Sequence, residues 1–226
     1  GQMDLYSSLR NPKVRNKYCI FHATFSMFNT LNHYNAYMDM DMESRNVWLD
    51  FNFDVERQWN KQLKTTFLYS FQRWDEEINH FDSADAHYCA SHIFVGDVTY
   101  KINKKHSLRF EAQYLASNDY EGDWVAASIE YNFAPKFSFY VSDMWNCEKM
   151  QDGMYGNYYT SFTENGEIKE DYYLLHYYQV GASFTHNSFR AQLSYGRNRA
   201  GYVCSGGVCR FQPAYTGLNL AITLSF

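Results

Sequence analysis

The sequence predicts an all-β protein built as an antiparallel, up-and-down transmembrane β-barrel. Three observations predict it: long segments in which apolar and polar residues alternate, connections that alternate between short and long, and an aromatic-rich, proline-poor composition. Of 226 residues, 46% are apolar and 19% aromatic (Tyr 21, Phe 18, Trp 5), while proline numbers only 3. Aromatic side chains suit the pleated surface of a strand, and proline removes a ladder donor. The mean hydropathy is −0.54, and no apolar run is long enough for a membrane-crossing helix. A barrel keeps a low mean hydropathy because alternate strand residues are polar.

The clearest strand is Val47 to Val55. Val47, Leu49, Phe51, Phe53 and Val55 share one phase, while Trp48, Asp50, Asn52, Asp54 and Glu56 share the other. Alternate residues of a strand face opposite sides, so one side is wholly apolar and the other mostly polar; a helix would mix the two sets. The pattern repeats at Leu63–Gln72, Leu108–Tyr114, Trp124–Phe133, Phe189–Tyr195 and Gly217–Phe226. Weaker segments lie near 17–30, 88–103, 136–145 and 172–185, for about ten visible strands. Many are about ten residues long, as tilted membrane-crossing strands require.

Short turns are expected near Gln58-Trp59-Asn60, Asn103-Lys104-Lys105, Ala134-Pro135-Lys136 and His186-Asn187. Longer polar connections span 32–45, 74–87, 117–123, 146–171 and 196–213. An up-and-down order puts every long loop at one end, the asymmetry of outer-membrane barrels. The domain assignment is a polar N-terminal segment, 1–16, followed by a barrel domain, 17–226. Gly1 to Lys17 contains no apolar stretch of signal-peptide length, and a start at Gly rather than Met reads as processed, engineered or truncated.

Alternation alone does not say whether the apolar phase points into a soluble core or out to lipid. Strand length favours lipid. So do aromatics near strand ends (Trp59, Phe133, Phe137, Tyr195 and Phe226), which suit interfacial girdles. The final strand, with Leu218, Leu220, Ile222 and Leu224 in one phase running to Phe226, resembles the C-terminal assembly signal of outer-membrane barrels. The charged residues of the polar phase are then lumen-facing: Asp50, Asp54, Glu56, Lys64, Asp97, Lys101, Arg109, Glu111, Glu130 and Arg190. Buried charges must be paired or hydrated, and Glu56 with Lys64 across the Gln58 turn is an expected pair.

Five cysteines are present. Cys204 and Cys209 flank Ser-Gly-Gly-Val, a loop able to turn sharply enough for a disulfide in an exported protein. Reduced thiols in a flexible loop are the alternative, and Cys19, Cys89 and Cys147 have no assigned pairing. No metal or cofactor site is expected. The acidic groups Asp39, Asp41, Glu43 and Asp75, Glu76, Glu77, Asp82, Asp85 match no complete calcium-loop motif. Asp82, Asp85 and His87 share one loop and are the candidates for a rim-loop hydrolase. Ser91 and His92 cannot act together, since strand neighbours face opposite ways. No nucleotide-binding fingerprint or nucleophile elbow occurs. The formal net charge of −5 weighs against nucleic-acid binding. Trp145, Tyr155, Asn157, Tyr158 and Tyr159 suit either glycan or protein recognition or loop packing.

Several stretches carry a family resemblance: Glu111-Ala112-Gln113-Tyr114-Leu115, Asp123-Trp124, Val141-Ser142-Asp143-Met144-Trp145-Asn146, Leu175-His176-Tyr177-Tyr178, and the run from Tyr195 through the cysteine loop to Ala214. On these the chain resembles an uncharacterised family of Bacteroides-type (Bacteroidota) outer-membrane barrel proteins, from about residue 45 onward. Members are generally longer, which implies that the visible strands are the C-terminal part of a larger barrel. The resemblance implies no activity. The expected role is therefore non-enzymatic, as a porin-like channel, a surface-binding protein or an envelope-complex subunit in the outer membrane of a Gram-negative bacterium. Its partners would be outer-membrane lipid, the barrel assembly machinery and envelope protein subunits. The alternatives are a barrel-borne hydrolase and a soluble exported β-sandwich that binds a ligand.

Overall fold

The computed structural model describes residues 1–10, 17–30, 33–34, 40–41, 46–75, 88–118, 122–147, 158–164, 167–173, 175–205 and 208–224. Among them there is no helix, and so none long and apolar enough to cross a membrane. Seventeen strands follow in chain order: β1 (Gln2–Arg10), β2 (Tyr18–Asn29), β3 (His33–Tyr34), β4 (Met40–Asp41), β5 (Asn46–Gln58), β6 (Leu63–Asp75), β7 (Tyr88–Lys101), β8 (His106–Ser117) and β9 (Trp124–Phe133), then β10 (Phe137–Asn146), β11 (Tyr158–Glu164), β12 (Glu167–Tyr173), β13 (Gln179–His186), β14 (Phe189–Asn198), β15 (Gly201–Ser205), β16 (Val208–Gln212) and β17 (Tyr215–Leu224).

Eleven of them form one up-and-down sheet in the order β1-β2-β5-β6-β7-β8-β9-β10-β13-β14-β17. No ladder joins β1 to β17 among the described residues. The other six pair as hairpins, β3–β4, β11–β12 and β15–β16, within the longer connections. Two expectations need correction. The strands of the sheet number eleven, not ten, because the polar head contains β1, paired along its length with β2 from Gln2↔Ser26 to Arg10↔Tyr18. The segment near 172–185 is also split: its first residues end β12, and β13 starts only at Gln179.

Three of the four short turns are built by asparagines. Asn60 Oδ1 accepts the backbone N–H groups of Gln62 (2.7 Å) and Leu63 (2.9 Å). Asn103 Oδ1 does the same for Lys105 (2.8 Å) and His106 (3.0 Å). An Asx side chain thereby supplies the acceptor that a tight turn lacks. Between β13 and β14, Asn187 takes φ 51°, a left-handed conformation that asparagine tolerates in two-residue hairpin turns.

The chain forms two compact units, Gly1–Gly96 with Gln113–Asp123, and Asp97–Ala112 with Trp124–Phe226. In the first, register aligns Met3, Phe25, Phe51 and Phe71 in one cross-strand row and Asp4, Thr24, Asn52 and Ser70 in the next. In the second, Ile129, Val141, Val180, Tyr195 and Leu218 form an apolar row, and Glu130, Tyr140, Gly181, Ser194 and Asn219 a polar one.

In the second unit the apolar row is the exposed one; in the first, Met3 is exposed, Phe25, Phe51 and Phe71 are half-buried, and Asp4 of the polar row is exposed. Val141 is 56% exposed and Leu218 72%, whereas Ser194 is 7% and Ser70 4%. Buried side chains among the described residues are mostly polar (Ser70, Asp75, Ser91, Asp97, Asn146 and Ser194), against the apolar Cys89 and Trp124. In the second unit the more exposed phase is thus the hydrophobic one, the reverse of a water-soluble core.

Candidate functional site

The polar face is where charged side chains converge, because period-2 geometry delivers them there from successive strands. In the first unit, Glu56 and Lys64 are diagonal neighbours across the β5–β6 turn, with Lys64 Nζ 3.1 Å from Glu56 Oε2. Tyr18 Oη donates to the other carboxylate oxygen at 2.6 Å. His22 stands directly opposite Asp54, with Nδ1 3.0 Å from Oδ1. Asn52 Nδ2 donates to Asp50 Oδ1 at 2.9 Å and lies 3.3 Å from Thr24 Oγ1.

In the second unit, one guanidinium gathers three carboxylates. Arg109 on β8 donates through Nε to Asp97 of β7 and through Nη2 to Glu111 of its own strand, and its Nη1 lies 4.0 Å from Glu130 of β9. The planar fork of arginine can address several carboxylates at once, which a lysine ammonium does less well. Asp97 is nearly buried, so the pair keeps a desolvated carboxylate compensated. Ser138 Oγ donates to Glu130 at 3.3 Å. Lys101 is exposed at the end of β7. Arg190 lines a cleft of about 290 Å³ together with Glu130, Asn132, Lys136, Ser138 and Thr185.

The apolar face ends in an aromatic series at the short-turn side of the second unit. His106 stacks on Phe133 (4.8 Å between centroids), Phe133 on Phe137 (6.4 Å), and Phe184 contacts both Phe137 (5.1 Å) and Phe189 (6.3 Å). In the first unit Trp59 lies under the Arg57 guanidinium at 3.7 Å. Of the residues predicted as the assembly strand, Leu218, Leu220, Ile222 and Leu224 are exposed in one phase of β17, and Phe226 lies outside the described residues.

Ser91 and His92 diverge as strand geometry requires: Ser91 Oγ meets Ser117 Oγ at 2.9 Å, and His92 Nδ1 meets Tyr69 Oη at 2.9 Å. Cys204 and Cys209 are directly opposed in the β15–β16 ladder. Asp82, Asp85 and His87 lie outside the described residues, as do Asp39, Glu43, Glu76, Glu77, Tyr155 and Asn157. Asp41 is in β4, Tyr158 and Tyr159 begin β11, and Asp75 is buried at the end of β6. Among the described residues no group of three or more His, Cys, Asp or Glu is arranged to hold a metal ion.

One pair escaped sequence reasoning. His176 Nδ1 lies 2.7 Å from Asp143 Oδ2, and the imidazole is 5.4 Å from the Trp145 ring. The two residues are 33 apart in sequence and meet because His176 bridges to Trp145 in an isolated antiparallel contact. The one signal was Asp143 itself, a carboxylate that continues the apolar phase of Phe137, Phe139 and Val141.

A family model described as a family of unknown function, DUF6029, matches residues 1–226. No curated protein matches the chain.

Proposed function

The chain belongs to the DUF6029 family, and from that premise we propose that it is an outer-membrane β-barrel protein with a non-enzymatic role, as a channel, a surface-binding protein or an envelope-complex subunit. The observation that carries the proposal is the reversed burial of the two strand phases. A soluble β-sandwich packs its apolar phase between two sheets. Here many residues of that phase, among them Met3 and Leu5 on β1, Phe67 on β6, Val141 on β10 and Leu218, Leu220, Ile222 and Leu224 on β17, are exposed, while the buried side chains among the described residues are mostly polar. Exposed apolar surface of this extent needs a partner, and lipid is the partner that covers every strand of a sheet alike. The ring series from His106 to Phe189 gives that surface an interfacial border.

The polar face then lines a lumen, and its compensated charges are what a narrow, low-dielectric interior requires. Strand number bears on closure. An antiparallel up-and-down barrel of the bacterial type closes on an even count, and the sheet has eleven strands among the described residues, so the proposed barrel includes strands beyond these. Assembly from the exported chain would use the barrel assembly machinery, with β17 as its recognition strand.

The test is reconstitution. Purified protein folded into liposomes is expected to resist alkaline extraction, and solute flux through those liposomes separates a channel from a plugged barrel. Release of the protein into the alkaline supernatant contradicts the membrane assignment.

A further inference from the structure

The cleft of about 290 Å³ at the short-turn edge of the second unit brings together Lys136 and Arg190, the hydroxyls of Ser138, Ser183 and Thr185, and the carboxylate of Glu130. These residues lie on or beside the polar phase of β9, β10, β13 and β14. Glu130 already accepts from Ser138 and lies near the Arg109 guanidinium, so part of its charge is compensated. The edge is held by backbone bonds between neighbouring turns. Ala134 N–H donates to Lys105 O at 2.7 Å, and Thr185 N–H donates to Lys136 O at 2.8 Å. Those bonds put the turn bearing Lys104 and Lys105 next to the turn bearing Lys136, and no Asp or Glu occurs in 102–105, 134–136 or 187–188. Two cations, Lys136 and Arg190, thus line the cleft against the single carboxylate of Glu130, and the adjoining turn adds Lys104 and Lys105.

We propose that this cleft is a binding site for a small phosphate-type oxyanion, with Arg190 and Lys136 as its charge partners and Ser183 and Thr185 as hydroxyl donors. Guanidinium and ammonium groups flanked by hydroxyls match the geometry and charge of a phosphate, and the volume suits a small solute rather than a large ligand. Resting on the polar face being the lumen side, the site stands at the short-turn mouth, where it would select anionic solutes or hold a phospholipid headgroup.

The experiment measures binding of inorganic phosphate and of a short-chain phosphatidylglycerol by titration calorimetry on the full chain folded in detergent. Wild type is expected to bind at least one. Arg190→Ala and Lys136→Ala are each expected to weaken binding about tenfold or more, the usual scale for losing a charge-assisted hydrogen bond. Lys61→Ala, an exposed lysine of the β5–β6 turn in the first unit, is expected to leave it unchanged. Phosphate binding points to a free solute, and binding of the lipid alone to a headgroup; both support the site. No binding by wild type, or wild-type affinity in both cleft variants, overturns it. Lys136 lies in a turn, so its variant reports even if Arg190→Ala fails to fold. A protein that binds phosphate through these residues yet needs no detergent keeps the site and loses the lumen, so the two proposals fail separately.

Discussion

The Tyr140 ring lies over Gly181, its direct partner across the β10–β13 ladder, so closely that a Cβ built on Gly181 would stand 2.6 Å from both Cε1 and Cζ. The aromatic ring fills the space that the glycine leaves on the polar face, a device that rigidifies a sheet where a glycine would otherwise weaken it. Gly181→Val is expected to cost about 1–3 kcal/mol through overpacking. Adding Tyr140→Ala should return part of that loss. Denaturant unfolding of the two single variants and the double variant checks the coupling; strictly additive losses would show that the ring and the glycine do not depend on one another.

Strand phase gives the second prediction. Val141 is 56% exposed, so in a water-soluble sheet Val141→Arg would be nearly neutral. Against lipid near the midplane it should cost about 2–4 kcal/mol. Ser142→Arg, one residue along on the polar face, should be far milder. Equal tolerance of the two arginines, measured as folding yield in detergent or lipid, would refute the orientation.

The Arg109 cluster gives the third. Arg109→Met leaves the nearly buried Asp97 without its guanidinium partner and is expected to cost about 1–3 kcal/mol. The side chain of Arg109 is itself 45% exposed, which keeps the loss below that of a fully buried pair. Combining Arg109→Met with Asp97→Asn should be less damaging than the sum of the two single changes. Unfolding midpoints of the three variants decide it.

The cysteine hairpin gives the fourth. Directly opposed residues of an antiparallel pair have Cα atoms about 4.5–5.5 Å apart, inside the range that a disulfide spans. Cys204 and Cys209 occupy such a position, while Cys19, Cys89 and Cys147 form no disulfide with one another. Alkylation of protein unfolded without reductant is expected to label those three and to spare Cys204 and Cys209 until a reductant is added. Labelling of all the cysteines in unreduced, exported protein would exclude the bond.

Much of the sheet was legible in the sequence because its strands are long and their alternation is strict. Val47 to Val55 announces β5 without any tertiary information. β1 was hidden because Tyr6 stands among Gln2, Asp4 and Ser8, and Ser7 among Met3, Leu5 and Leu9. Each phase thus contains one residue of the wrong character, and the strand is specified by pairing with β2 rather than by its own pattern. The hairpins β11–β12 and β15–β16 were concealed for a related reason: no period-2 apolar face marks strands that lie in a polar connection. The Glu56–Lys64 pair could be read from a turn between two strands of known phase. The Arg109 cluster could not be read as a unit, since it depends on the register of three strands, and nothing local links His176 to Asp143.

The most direct test of the central claim, that the apolar phase faces lipid, is fractionation of the native full-length protein followed by gel migration of the extracted sample with and without boiling. Extraction only by detergent, with a shift in migration on boiling, is the predicted result. Release into aqueous buffer as a monodisperse species, with no shift on boiling, would contradict it and turn the apolar phase inward.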